Sequence, residues 1–218
     1  MRIENLAFSI EDNRSYIIEE QNHAILVDAP SESLVQIIRE RQLTLDYVFL
    51  THEHCDHIWG LNAIRAVFHA PVIATKPTSL AIGDPRQNRA SVHHIYITLR
   101  FGADASRRCT PDPRLHCDRA DIEFEGKYHM NWQGHVMRFF STPGHSGGSG
   151  MLLADGRYLF SGDTLLKGQS VFTRFESGDS EAYRSVTQPF LELLPGDLQV
   201  YPGHGKAFLL KEFGLLGE

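Results

Sequence analysis

The sequence predicts a mixed α/β fold, and three features of its patterning predict it. Short apolar runs with strand character recur along the chain, stretches with helical spacing of apolar residues fall between them, and turn-forming pairs separate neighbouring runs. Taken in order, Ile3-Glu4-Asn5-Leu6-Ala7-Phe8, Ser15-Tyr16-Ile17-Ile18 and Ala24-Ile25-Leu26-Val27 read as three strands, with Asp12-Asn13 and Gln21-Asn22 as the turns between them. Ser31 is placed to cap an amphipathic helix carrying Leu34, Val35, Ile37 and Ile38. Tyr47-Val48-Phe49-Leu50 reads as a short buried strand, and Ile58, Leu61, Ile64 and Ala66 as a helix that His57 can start. Strand and helix alternate through residue 75. Strands return at 121–124, 136–140, 149–153 and 157–160, a helix follows at 181–194, and a last strand lies at 198–201.

The most informative run is Thr51-His52-Glu53-His54-Cys55-Asp56-His57. If the chain stays extended past Leu50, His52, His54 and Asp56 project to one side, because side chains alternate along a strand. Neutral imidazoles and a carboxylate converging on one point suit zinc or a comparable transition metal. Three further strand-like runs lead into candidate ligands in the same way: Val136–Phe140 into His145, Tyr158–Phe160 into Asp163, and Leu198–Tyr201 into His204. Sites in sheet proteins commonly form from the loops at strand ends. The glycines at 144, 162 and 203 permit the tight turns such loops need.

The set His52-Glu53-His54-Cys55-Asp56-His57, then His145, Asp163 and His204, resembles the metallo-β-lactamase fold superfamily, and the resemblance runs from about residue 14 to residue 208. Ser161-Gly162-Asp163-Thr164-Leu165 and Tyr201-Pro202-Gly203-His204-Gly205 look most like the compact members of its glyoxalase II group of thioester hydrolases. The resemblance implies an αββα four-layer sandwich, with one domain over residues 1–218 and an insert at about 77–120. It puts His52, His54 and His145 on one divalent ion and Asp56, His57 and His204 on a second. Asp163 bridges the two, Asp56 and Asp163 are the carboxylates most directly tied to catalysis, and Asp28 supports the metal loop from behind. Zinc is the expected metal, with iron or manganese as alternatives.

The activity so implied is hydrolysis of a thioester or related ester by a hydroxide shared between two ions. Arg174 falls where the family has a basic residue that grips the thiol half, and Lys206 occupies a second expected contact. Glu176 and Lys206 stand where the glutathione-specific enzymes carry tyrosines, and the chain ends soon after His204, where those enzymes continue into a helical domain. Both departures point away from glutathione, toward a small-molecule thioester or one held on an acidic carrier protein. The resemblance also covers mononuclear iron oxygenases of the persulfide dioxygenase type, which would use a histidine of the first run with His145 and Asp163. Lactonases and phosphodiesterases share the ligand set.

Composition narrows the field further. A net charge of −6 over 218 residues excludes a globally basic nucleic-acid binder. No apolar run approaches the ~20 residues a membrane helix requires, and Met1-Arg2-Ile3-Glu4-Asn5 is not the start of a secretory signal. Three cysteines at irregular spacing argue for a reducing compartment, so a cytoplasmic location is expected. Cys109, His116 and Cys117 lack the paired spacing of a zinc knuckle and read as unpaired, partly buried thiols beside a histidine. Cys55 is expected to face away from the ions, and His93, with the other histidines outside the motifs, to serve surface or hydrogen-bonding roles. Between Arg86 and Arg119 seven arginines stand against three acids. That segment reads either as a solvated lid whose arginines pair with the acidic body or as a docking surface for an anionic substrate or acidic carrier.

Overall fold

Strand alternation feeds separate cores on the two faces of each sheet. In β2 (Asn13–Glu20), β3 (His23–Val27) and β4 (Thr44–Phe49), the residues Ile17, Leu26 and Val48 enter one apolar cluster, while Ile18, Val27 and Phe49 enter another. These strands are buried on both sides, which is why they read as near-continuous apolar runs. The computed structural model, which describes residues 1–213, shows the reason: each of two sheets is covered by the other sheet on one face and by helices on the opposite face.

The first sheet has the order β1 (Arg2–Phe8), β2, β3, β4, β5 (Val72–Thr75), β6 (Ile122–Phe124). Its first pairings are antiparallel, and β3 through β6 run parallel. The second sheet has the order β12 (Phe208–Leu209), β11 (Gln199–Pro202), β10 (Tyr158–Gly162), β9 (Gly150–Ala154), β8 (His135–Ser141), β7 (Lys127–Trp132). Phe49, Ile73 and Tyr16 from the first sheet meet Phe139, Leu152 and Phe160 from the second in the central core. Each fully buried phenylalanine contributes roughly 1.5–3 kcal/mol. Outside the first sheet lie α1 (Leu34–Glu40) and α3 (Leu61–Phe68), which place Leu34, Ile38, Leu61 and Ile64 on Leu26 and Val48. Outside the second, Leu191 of α8 (Gln188–Glu192) packs with Met151, Leu159 and Val200. The result is the four-layer αββα sandwich.

Several elements differ from the sequence expectation, each for a local reason. Strand β7 was not evident because its outer face is solvated: Lys127, His129 and Asn131 are exposed. Helix α1 starts at Leu34 with Ser33 at its N-cap and no side-chain cap; Ser31 instead uses its carbonyl to accept from the Leu34 N–H at 3.3 Å. The helical stretch expected at 181–194 is α7 (Ser180–Ala182), a π-helical turn at Tyr183–Thr187, and α8. Residues 77–120 are mostly helical, carrying α4 (Lys76–Ala81), α5 (Ala90–Phe101) and α6 (Ala103–Cys109), with coil from 110 to 121. Of the two turn pairs, Gln21-Asn22 joins β2 to β3 with both residues at positive φ, the backbone that matches strand twist in two-residue hairpins, whereas the first turn spans residues 9–12 and Asn13 already begins β2.

Direction decides where a site can form. β8 and β10 are each antiparallel to β9, and β11 is parallel to β10, so β8, β10 and β11 all finish at one edge of their sheet. The Tyr16 hydroxyl donates to the Pro202 carbonyl at 2.6 Å and ties the first sheet to that edge, at the end of β11.

Candidate metal centre

The loop after β4 is fixed by one carboxylate. Asp28, at φ 59° just past β3, accepts from the Thr51 N–H at 2.7 Å through Oδ1. Its Oδ2 accepts from the Thr51 hydroxyl at 2.8 Å and faces His57 Nδ1 at 2.9 Å. Asp28 thus grips both ends of the histidine run, the supporting role the resemblance implied. His52 and His54 lie in the coil between β4 and α2, His54 with φ −59° and ψ 140°, but α2 (Cys55–Ile58) begins earlier than expected and takes Asp56 and His57 with it. Asp56 therefore reaches the cluster from a helical turn rather than by strand alternation.

The other three donors arrive from the shared strand edge. His145 follows β8, Asp163 follows β10 and His204 follows β11. Their approach needs Gly203: a Cβ there would strike Asp163 Oδ1 and lie 2.7 Å from His57 Cε1. All seven sequence-predicted metal residues meet. His52 Nε2 and His145 Nε2 lie 3.1 Å and 3.2 Å from His54 Nδ1. On the other side, His204 Nε2 is 3.4 Å from Asp56 Oδ2, and His57 Nε2 is 3.7 Å from the same oxygen. Asp163 sits between: Oδ1 is 3.4 Å from His57 Nε2, while Oδ2 is 3.4 Å from His204 Nε2 and 3.7 Å from His145 Nε2.

The hydrogen bonds behind the rings set which nitrogen faces inward. Nδ1 of His145 meets the Phe172 carbonyl at 3.1 Å, and Nδ1 of His204 meets the Glu11 carbonyl at 2.8 Å. His57 Nδ1 meets Asp28, and His52 Nδ1 meets the Thr51 hydroxyl, whose own proton goes to Asp28. These partners accept protons, so Nδ1 carries the hydrogen and the Nε2 lone pairs point into the cluster, the arrangement metal-binding histidines use. His57 Nε2 and Asp163 Oδ1 are buried and have no hydrogen-bond partner. Lone pairs gathered this closely, away from water and without donors, are satisfied by a cation.

Electrostatics agree. Burial holds His52, His54 and His145 below the ordinary imidazole range, neighbouring rings adding to it. These three rings are therefore neutral, the form that can coordinate a metal. Burial disfavours charge on His57 and His204 too, but the Asp163 and Asp56 carboxylates outweigh it and raise both. Asp56 and Asp163 stay ionised against their own burial, through His57 and His204. Protons and metal ions thus compete for the same electron pairs.

Some neighbours were not legible as site residues. Asn13 donates to Asp56 Oδ2 at 2.9 Å. Glu11, whose carbonyl orients His204, pairs through its carboxylate with His93 of α5 at 3.0 Å. His93 is thus a buried neighbour of the centre rather than a surface residue, and one of its ring nitrogens lies within 4.8 Å of both Asp56 and Cys55 Sγ. Cys55 lies outside both groups of predicted metal donors, on the side of Asp56 that also meets His93. Phe175 sets its ring edge-on against His54 and His145, with centroids 5.0 and 5.3 Å away. Arg174 is exposed and makes no ion pair or hydrogen bond with the described residues. Lys206 is exposed on the wall of a cavity of about 250 Å³ that it shares with His204, Glu11 and Lys167.

A sequence model described as the Metallo-beta-lactamase superfamily matches residues 11–204. The chain belongs to this superfamily. Divalent-metal binding, which the family's fold implies, falls on the His/Asp cluster. It is similar to the hydroxyacylglutathione hydrolase of Brucella ovis, at 26% identity over 197 residues that cover 88% of this chain and 62% of the relative. The chain thus spans less than two thirds of the curated relatives it matches. Among solved structures, the BLEG-1 B3 metallo-beta-lactamase superposes with a TM-score of 0.78 at 24% identity, covering 97% of this chain and 95% of that one. ETHE1 from Myxococcus xanthus superposes with a TM-score of 0.69 at 25% identity, covering 97% and 81%. No helix among the described residues is long and apolar enough to cross a membrane.

Proposed function

We propose that this member of the superfamily is a binuclear hydrolase that cleaves acyl thioesters. The observation that carries the reading is the position of Asp163, whose two oxygens face the His57 side and the His145 and His204 side. His52, His54 and His145 would hold one divalent ion, Asp56, His57 and His204 the other, with Asp163 common to both. When bound, two such ions supply a polarised carbonyl and a water acidic enough to ionise near neutral pH. Zinc suits the donor set, and iron or manganese also fit nitrogen and carboxylate ligands.

The chain's own residues do the rest. Asp28, Thr51 and the carbonyls of Phe172 and Glu11 lock the rings, so the centre needs little rearrangement to hold its charge. Burial pushes the Cys55 thiol well above its ordinary range, so it stays protonated and is a poor nucleophile. Attack therefore falls to water, and a thiolate leaving group departs with little proton assistance. The likeness to hydroxyacylglutathione hydrolases supports a thioester. A cytoplasmic, carrier-linked or free small-molecule substrate remains the reading of the sequence.

A second reading, a mononuclear iron oxygenase, draws support from the likeness to ETHE1. Elemental analysis of loaded protein with a panel of thioesters, lactones, phosphodiesters and persulfides separates the two. Two metals per chain with thioester cleavage supports the proposal. One tightly held iron with oxygen consumption on a persulfide overturns it.

A further inference from the structure

A cavity of about 580 Å³ lies beside the metal centre, lined by Arg86, Arg89, Val92, Glu176 and Ser177 among others. Two contacts join it to the cluster. Ser177 donates to the buried Glu53 of the histidine run at 3.1 Å. The Arg89 guanidinium lies 4.0 Å above the ring of Phe175, whose edge rests on His54 and His145.

The charges in this cavity are not equivalent. Arg86 is occupied by Asp84 at 3.2 Å. Arg107, Arg114 and Arg119 elsewhere in the segment pair with Asp104, Asp112 and Glu123. The half-buried Arg89 has no carboxylate within ion-pair distance and no hydrogen-bond acceptor for its side chain among the described residues. Its backbone is nonetheless held firmly. Arg89 sits at φ 67°, a left-handed conformation that costs a β-carbon residue stability and persists where the surroundings enforce it. Here the enforcing residue is Asn88, fully buried: its amide donates to the carbonyls of Ile82 and Leu115, and its own carbonyl accepts from the Cys55 N–H at 2.7 Å. The turn that presents Arg89 is clipped to the first residue of α2. A planar cation stacked on an aromatic ring, fixed at its backbone and lacking a partner, is preorganised for a carboxylate.

We propose that Arg89, stacked on Phe175, is the specificity-determining residue that receives a single carboxylate of the substrate in this cavity. Glu176, exposed on the same wall and unpaired with either arginine, opposes densely charged anions such as pyrophosphates. The inference rests on the thioester reading for the reaction, but the site itself is read by binding. The carboxylate belongs to either the thiol half or the acyl half of the thioester, and substrates carrying it on one side or the other distinguish these.

The test uses metal-loaded protein and calorimetric titration with 3-(propylthio)propanoate, a thioether that cannot be hydrolysed, and with its carboxamide. The wild type should bind the carboxylate at least tenfold more tightly than the amide. Arg89→Gln should bring the two within about twofold, Arg89→Lys should fall between, and Phe175→Leu, which removes only the stack, should weaken the preference. Equal affinities in the wild type overturn the proposal. So does a preference that survives in Arg89→Gln, since it would then arise at the metal centre. Turnover of S-acetyl-3-mercaptopropanoate and of a methyl monothiosuccinate, each against its amide, then shows which half carries the group. Arg89-dependent binding with no thioester cleavage would sink the hydrolase reading and leave the site; cleavage without Arg89 dependence would sink the site alone.

Discussion

Ser177 donates a hydrogen bond of 3.1 Å to Glu53, joining two residues 124 positions apart in the chain. Glu53 also accepts from Ser146 at 2.9 Å and from Thr78 at 3.3 Å. One buried carboxylate therefore gathers the histidine run, α4, the loop of His145 and the loop of Phe175. Burial pushes its pKa up, and the three hydroxyls pull back. It holds the loops without itself being a predicted ligand.

Glu53→Ala should accordingly destabilise the protein. It strands buried hydroxyls and leaves a void, at about 2–4 kcal/mol. For a chain of this size that corresponds to a fall in Tm of roughly 5–15 °C. Glu53→Gln should lose less, because hydroxyls can turn to pair with an amide. A Tm for Glu53→Ala within a degree of wild type would show that the hub contributes nothing.

Gly203→Ala tests the closeness of the centre. The added carbon meets Asp163 Oδ1 and His57 Cε1, so the β10 and β11 loops must part to admit it. Metal content measured by elemental analysis should drop, and hydrolysis with it, while far-UV circular dichroism stays native. Full metal occupancy in this variant would contradict the packing of the loops.

How much of this was legible in the sequence depended on whether a residue's role was local. The candidate donors sit just past apolar strands, and strand and donor lie within a few positions of each other, so His52, His145, Asp163 and His204 stood out in the sequence. Turn pairs such as Gln21-Asn22 carried their own backbone signal. Asn13, Glu11, His93 and Arg89 gave none, because each reaches the centre through tertiary contacts. A single arginine among seven in a segment has no distinguishing neighbour in sequence; its lack of a partner is visible only once the other ion pairs have formed. Asp56 joins the cluster on a geometry the sequence did not suggest, since it projects from α2 and meets His57 and His204 rather than following strand alternation.

Asp163→Ala and Asp28→Asn should separate the donor from its support. Removing Asp163 takes away the one residue that faces both sides of the cluster, and hydrolysis should fall by several orders of magnitude with loss of bound metal. Asp28→Asn puts an NH₂ against either the Thr51 N–H or the His57 Nδ1–H, so the histidine run loosens without losing a donor. Metal affinity or activity should fall roughly 10–100-fold. Equal effects of the two changes would mean that Asp163 acts only as a support.

The three cysteines should differ in reactivity, and the order follows from burial. Cys117 is buried, and desolvation pushes its thiol up to about 12. At pH 8 on the order of one molecule in ten thousand would carry the reactive thiolate. Cys55 is raised as well, by burial and by the adjacent Asp56 and Glu11 carboxylates. Cys109, at the end of α6, is partly exposed. Native protein treated with iodoacetamide at pH 8 should therefore modify Cys109 first, with Cys55 and Cys117 labelled only on unfolding; peptide mapping reads this directly. The sign of the linkage is also fixed. A thiol whose pKa is higher in the folded than in the unfolded chain leaves stability unchanged below its ordinary value of 9.0, then lowers it as pH climbs toward 12. Denaturation of the wild type against Cys117→Ala across that window should show the wild type losing stability faster, by at most roughly 4 kcal/mol. Parallel curves, or labelling of Cys117 before Cys109 in native protein, would mean that water reaches the thiol the structure buries.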